Sequence, residues 1–393
     1  MTLPKLCADC CGCGACAAIC PQGVIKIKSD ILGFYIPIID HQKCISCGRC
    51  TKFCNVKSER NTVLKAYGIK HCNPAILAKS RSGAFFYAIS KYIIEQKNGV
   101  VYGSYMSETD EVEHIRVVSI DDIQKLQGSK YTQSYIRSSI YQKAIDDVKE
   151  GRWVVFSGTG CQVDKFKKAL CFNHVSHSKV VLIDIICHGV TTPTLWRDYC
   201  LYIRRKYKKR KMEVGRFQFR DKTLGWSKHW ESFSLKTVPP LGKSIKSFTI
   251  YSNLYTKLFY SNLFLRNICF TCKFANMNRV SDFTLGDFWG WEKVDLHLNK
   301  DDKGVSLVLM NTNKALHIFE ALKQDLIYKD CTHMDFLQPN LQYATSRPPK
   351  YAQAHIDYMN WGFQKFVVEY GYNTSLQKIK RFFRNILFKI QGY

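Results

Sequence analysis

Two matched runs of four cysteines near one end of the chain constrain its fold more than any other feature. They read Cys10-x2-Cys13-x2-Cys16-x3-Cys20-Pro21 and Cys44-x2-Cys47-x2-Cys50-x3-Cys54, and they start 34 positions apart. Three thiolates on one tight loop reach three irons of a cubane. The fourth iron takes a cysteine from elsewhere, and in two-cluster ferredoxins that cysteine belongs to the other run. The spacing predicts two 4Fe–4S clusters, one held by Cys10, Cys13, Cys16 and Cys54, the other by Cys44, Cys47, Cys50 and Cys20. Zinc would ask for four ligands in two pairs, a poor fit to x2-x2-x3 spacing. Cys7-x2-Cys10-x2-Cys13 also fits the triplet, but only the run from Cys10 ends in x3-Cys-Pro, which leaves Cys7 and Cys11 without a role. Asn55 follows Cys54 where proline is usual, and this changes no ligand. Gly12, Gly14 and Gly48 let backbone N–H groups approach the sulfides.

The chain has 393 residues, of which 46% are hydrophobic and 13% aromatic. That length suggests two or three domains with a sizeable core. It has no apolar run of 18 residues, and its first residues lack a signal peptide's apolar stretch, so the expected location is the cytoplasm. In a large cytosolic chain clustered cysteines bind metal more often than they form disulfides. With 58 Lys+Arg against 32 Asp+Glu the net charge is +26. Three clusters at roughly −2 each would bring it to about +20. Acidic protein surfaces and anionic lipid suit such a charge; nucleic acid ranks last, because no nucleic-acid-binding fingerprint is present.

Between the cysteine runs, Val24–Ile27 and Phe34–Ile38 read as a hairpin. From about residue 65 helical and strand patterns alternate. Helices are expected over 82–96, 135–150 and 163–170, and strands over 100–102, 153–156 and 180–186. Such alternation predicts a mostly parallel sheet. The fold class expected is α+β: a small two-cluster ferredoxin domain, a larger α/β domain and a C-terminal amphipathic helix. The expected divisions are 1–62, 65–150, 151–345 and a basic tail 346–393. Seven positive charges in residues 204–211 read as a solvated helix end.

Four further cysteines stand out. Cys161 and Cys187 each follow an expected strand, at the sheet edge where α/β folds bind ligands, and Cys269-x2-Cys272 forms a pair. On spacing alone a third cluster and four unconnected buried cysteines are equally good readings. Several stretches bear on the choice: Ser80-Arg81-Ser82-Gly83, Gly128–Ser134, Ser157-Gly158-Thr159-Gly160-Cys161-Gln162, Asp184–Gly189, Leu265–Cys272 and Asp282–Gly290. In this order they resemble the family of coenzyme F-420 hydrogenase/dehydrogenase beta subunits over about residues 70–330. The resemblance implies a third 4Fe–4S cluster on Cys161, Cys187, Cys269 and Cys272, with a flavin, FAD by expectation, beside it. The family usually has proline where Gly160 stands, which implies a looser loop here.

Cofactor-binding candidates within these stretches are Ser82, Ser129, Lys130, Gln133, Ser134, Gly158 and Thr159. The Gly158-Thr159 turn leads into a helix N-terminus, a natural anion site, and is equally an ordinary βα loop. No GxGxxG fingerprint is present. His188 and Asp287 are candidates for moving protons, although a structural role is the commoner one for such residues. The function expected is an iron–sulfur flavoprotein oxidoreductase acting on an unidentified two-electron acceptor. The alternative is an electron-transfer subunit that docks on a catalytic partner. Expected partners are a redox protein, either a ferredoxin or a hydrogenase/dehydrogenase-like subunit, and a small-molecule or lipid-linked substrate. From Leu376 to Ile390 apolar residues recur at steps of three and four beside Lys378, Lys380, Arg381, Arg384 and Lys389. That helix suits either docking on the protein or contact with an anionic membrane face.

Overall fold

A computed structural model describes residues 10–56, 58–237, 245–333 and 336–372. The apolar alternation after the first cysteine run forms the expected hairpin, β1 (Ile25–Ser29) against β2 (Tyr35–Ile39). Short helices Ala15–Ala18 and Arg49–Asn55 carry the ends of the two runs.

The remaining strands, in chain order, are β3 (Lys65–His71), β4 (Val100–Met106), β5 (Val112–Val117), β6 (Val154–Thr159), β7 (Val180–Ile185), β8 (Met212–Asp221), β9 (Trp230–Thr237), β10 (Ser247–Ser252), β11 (Phe283–Asp287), β12 (Ser306–Met310) and β13 (Leu326–Asp330). Eight of them make one sheet in the order β13-β3-β12-β11-β7-β6-β4-β5. Its centre is parallel, from β4 through β6 and β7 to β11. Antiparallel pairs flank that centre: β5 on one side, and β12, β3 and β13 on the other. The parallel sheet expected from alternation is thus the middle of a mixed one. The strand sequences explain the division. Val154-Val155-Phe156 and Val180-Val181-Leu182 are buried on both faces, as parallel strands between helices must be.

Helices Phe85–Lys97 and Asn313–Leu322 cover one face through Phe85, Ile89, Ile93, Ile318 and Phe319. Helices Ser138–Lys149 and Gly160–Phe172 cover the other, where Phe156 stacks on Phe166 at 4.1 Å. The ferredoxin segment packs on this second layer. Ala15, Ile19 and Phe53 join its core, and Tyr141 Oη donates to the Cys13 carbonyl at 3.0 Å. Phe53 is fully buried edge-on to Phe172, an anchor whose truncation to alanine should cost about 3–5 kcal/mol.

β8, β9 and β10 form a separate antiparallel sheet that periodicity did not announce. It packs with helices Pro193–Lys208, Leu254–Tyr260 and Tyr351–Glu369. The basic run 204–211 closes the first of these helices, with Arg204 paired to Asp110 and the rest at the surface; its positive end suits the helix dipole. The described part of the tail, through Tyr372, is docked: His355 bonds the Leu263 carbonyl and Phe366 packs on Phe264. The amphipathic segment 376–390 lies outside the described residues. Among the described residues no helix is long and apolar enough to cross a membrane.

Candidate metal centre

The eight ferredoxin cysteines fall into two groups in space. Cys20, Cys44, Cys47 and Cys50 line a small outer pocket, and Cys47 is exposed. Cys10, Cys13, Cys16 and Cys54 line a cavity of 1120 Å³, and Cys50 borders it as well. Between them, Gly12 has a φ of 67°, and a Cβ there would lie 2.1 Å from Gln133 Nε2 and 2.8 Å from Arg266 Nη1, so this loop position admits only glycine.

The same cavity is also lined by Cys161, Cys187, Cys269 and Cys272. β6 delivers Cys161 and β7 delivers Cys187, each just past the strand's C-terminal end, while the 3-10 turn Asn267–Thr271 carries Cys269. Thr159 caps the helix that begins at Gly160: its backbone N–H donates to Gln162 Oε1 at 3.0 Å, and its hydroxyl lies 3.1 Å from Cys161 Sγ. This corrects the looser loop expected from Gly160. Gly160 is the buried first residue of a capped helix, and the space a larger side chain would need is taken by Phe274, 3.0 Å away. Arg279 ties the remaining ligand segments together. It is buried, pairs with Asp184 at 2.8 Å and donates to the carbonyls of Phe274 and Asn276.

Burial pushes the Cys16 and Cys187 thiols well up, and neighbouring cysteines push them further: Cys54 and Cys10 beside the first, Cys269 and Cys272 beside the second. Burial likewise lifts Cys54 and Cys269 to about 11. Crowded, buried thiolates would repel one another, so these thiols stay protonated unless a cation-bearing group takes the place of the protons. The all-sulfur donor set and the size of the cavity suit iron–sulfur clusters. Among the described residues no three His, Cys, Asp or Glu side chains converge closely enough to hold a single metal ion.

Comparison with known proteins agrees with this chemistry. Residues 9–58 match the 4Fe-4S dicluster domain, a domain that holds two 4Fe–4S clusters. Residues 151–332 match the model for the C terminus of the beta subunit of coenzyme F420 hydrogenase/dehydrogenase. Over residues 151–332 the chain is therefore similar to the F420 hydrogenase/dehydrogenase beta-subunit family. A curated relative, the F subunit of F(420)H(2) dehydrogenase from Methanosarcina mazei, is 25% identical over 191 residues, 45% of this chain and 53% of the relative. The match thus spans about half the relative's length. Among solved structures, one of the xenon-derivatised F420-reducing [NiFe] hydrogenase complex from Methanosarcina barkeri aligns with a TM-score of 0.46 and 14% identity, covering 70% of this chain and 84% of that one.

The other sequence candidates scatter. Gln133 joins two parts of the protein: its Nε2 donates to the Cys11 and Gly12 carbonyls, and its Oε1 accepts from the Tyr35 backbone and Arg266. Ser134 is buried against His114 Nδ1 at 2.7 Å, and Ser82 donates to the Val305 carbonyl. The Gly158-Thr159 turn adjoins the cysteine cavity. Lys130 lies elsewhere, in a group of cations. Its ammonium donates to the Leu126 and Gln127 carbonyls, and burial, then Arg81 and Arg216, lower its pKa to about 7. Arg220 and Lys222 adjoin the same group. Ser129 bonds Tyr131 beside it.

His188 and Asp287 mark the ends of a row of rings. His188 lines the cysteine cavity, bonds Asn262 at 2.7 Å and lies 5.3 Å from Tyr260. The row continues through His229 to Trp289, which stacks on Trp226 at 4.4 Å. Asp287 pairs with buried Arg220 and accepts from Trp226 Nε1 at 3.2 Å. Sequence reasoning missed Arg216, Arg220, Trp226, His229 and Tyr260. They come from β8, the β8–β9 turn and the helix after β10, a region without a cysteine or glycine signature.

Proposed function

We propose that this chain is an iron–sulfur flavoprotein oxidoreductase, which exchanges single electrons with a redox protein and an electron pair with an organic acceptor. The shared cavity carries the reading, because it puts the first ferredoxin loop and the four inner cysteines on one space. In this reading Cys10, Cys13, Cys16 and Cys54 hold the first cluster, and Cys44, Cys47, Cys50 and Cys20 hold the outer one. Cys161, Cys187, Cys269 and Cys272 hold a third. Clusters carry single electrons, and a bound flavin supplies the conversion to two-electron, hydride chemistry.

The chain's own residues do the binding and positioning. Lys130, Arg81 and Arg216 gather positive charge suited to a flavin's phosphates, and the ring row from His188 to Trp289 offers flat apolar faces for the ring system. His188, which lines the cavity and adjoins that row, would hold a proton for the bound groups. The side chain of Asp287 is committed to Arg220, so its role is to fix that cation. At the outer pocket Cys47 and Ile45 are exposed beside Lys43, Arg49 and Lys52, a surface that fits an acidic redox protein. The match to one subunit of an F(420)H(2) dehydrogenase supports both the redox chemistry and such a partner. A reducing cytoplasm is where so many free thiols persist.

Anaerobically purified protein tests the reading. It should hold about 12 iron and 12 sulfide, from three cubanes of ~4 iron, and release flavin on acid treatment. About 8 iron would leave only the ferredoxin clusters. Full iron without any binding of FAD or FMN would favour the second reading, an electron-transfer subunit with no acceptor of its own. The relative's place within a multi-part dehydrogenase also suits that second reading.

A further inference from the structure

We propose that Cys11 is an alternative ligand to Cys161 for one iron of the inner cluster; this rests on reading Cys161, Cys187, Cys269 and Cys272 as a cluster site. A cubane offers four irons, one thiolate to each. The cavity lined by the four inner cysteines is also lined by Cys11, a thiol that the first cluster does not use. Cys187, Cys269 and Cys272 are neighbours of one another. Cys11 and Cys161 are close neighbours there, so a fifth thiol stands beside one of the four proposed ligands.

Both thiols are held there. Cys161 sits in the first turn of a capped helix. Gln133 Nε2 donates to the Cys11 carbonyl at 3.2 Å and Arg266 Nε to the Cys10 carbonyl at 2.6 Å. The other thiol touching Cys11 is Cys13, which the first cluster uses. The exchange moves no electrons. One Fe–S bond to Cys161 breaks, one to Cys11 forms, and the proton of the incoming thiol passes to the outgoing thiolate. With Cys11 as ligand, the loop that holds the first cluster is bonded directly to the inner one.

Iron analysis of the full-length protein, purified anaerobically, tests this. The parent should hold about 12 iron, Cys187→Ala about 8, and Cys161→Ala and Cys11→Ala each about 12. Cys161→Ala should also show an altered electron paramagnetic resonance signal for the inner cluster, with the two ferredoxin signals unchanged. The double variant should fall to about 8 iron. A loss of four or more iron in Cys161→Ala alone, or in Cys11→Ala alone, overturns the proposal, as does a double variant that keeps 12. With the parent at 12, any of these failures leaves the three-cluster reading standing. A parent with about 8 iron removes that reading, and the proposal with it.

Discussion

Cys10, Cys13 and Cys16 share one short turn of chain, whereas Cys161, Cys187, Cys269 and Cys272 reach the cavity from two strand ends and a separate 3-10 turn. The first set is positioned by local backbone, with glycines between the ligands. The second is positioned by the order of strands in a sheet and by one buried ion pair. A locally built site should tolerate damage elsewhere in the molecule. A site built from distant segments should fail whenever the frame between them gives way.

Arg279→Ala should break that contrast hardest. It leaves Asp184 buried without its cation, which costs about 3–5 kcal/mol, and it frees the segment carrying Cys272. Denaturant unfolding should show the loss, and iron analysis should show about 4 iron missing while both ferredoxin clusters remain. If all the clusters leave together, the two sites are not independent. Single ligand changes sharpen the comparison next. Cys272→Ala should remove the inner cluster alone, and Cys16→Ala should remove one low-potential cluster, each read as about 4 iron and one missing spectroscopic signal.

Gln133→Ala probes the seam between the regions. It strands the Tyr35 N–H and two loop carbonyls, at a cost of about 1–3 kcal/mol, so the melting temperature should fall while iron content holds. Lys130 allows a pH test. Its pKa of about 7 means that it loses its charge as pH rises through neutrality. The dissociation constant for flavin should then rise by up to ~10-fold per pH unit above 7, and Lys130→Ala should bind more weakly at low pH with the dependence flattened. A steep dependence in the alanine variant would locate the anion elsewhere. The same depression has a stability consequence: burying the uncharged amine makes folding less favourable as pH falls from the ordinary lysine range toward 7. The smallest effect should come from Cys7→Ala, at a position outside the described residues, which should leave iron content unchanged. Any lost cluster would move the ligand register by three.

The parts legible in the sequence were those whose physics is local. The hairpin, the helices after positions 82, 135 and 163, and the strands at 100, 154 and 180 all appear close to where periodicity put them. The two cysteine groupings of the ferredoxin segment also follow from spacing. The side-chain roles around Ser129–Ser134 did not. A polar residue in a loop carries no mark of whether it faces a ligand or another loop, and Gln133 faces the ferredoxin turn. Linear spacing likewise cannot show that Cys11 and Cys161 line one cavity. The β8–β10 sheet escaped because its strands are long, partly exposed and separated by charged turns. The antiparallel flanks escaped because alternation in sequence says nothing about where β3 will pair.

That pairing of β3 has a consequence for how the protein is made. Ile69 lies opposite Ser306 and His71 opposite Leu326, so a strand near the start of the chain is completed only by strands near its end. During synthesis β3 leaves the ribosome long before its partners exist. The cysteine runs just ahead of it can gather their iron at once, because their ligands are all present. Cys161 and Cys187 must wait for Cys269, Cys272 and the closing strands. The polypeptide therefore exists for much of its synthesis as a ferredoxin segment joined to an unfinished sheet. The two ferredoxin-type clusters can therefore form before the sheet that covers them is complete, which makes this the stage at which they are most exposed to oxygen.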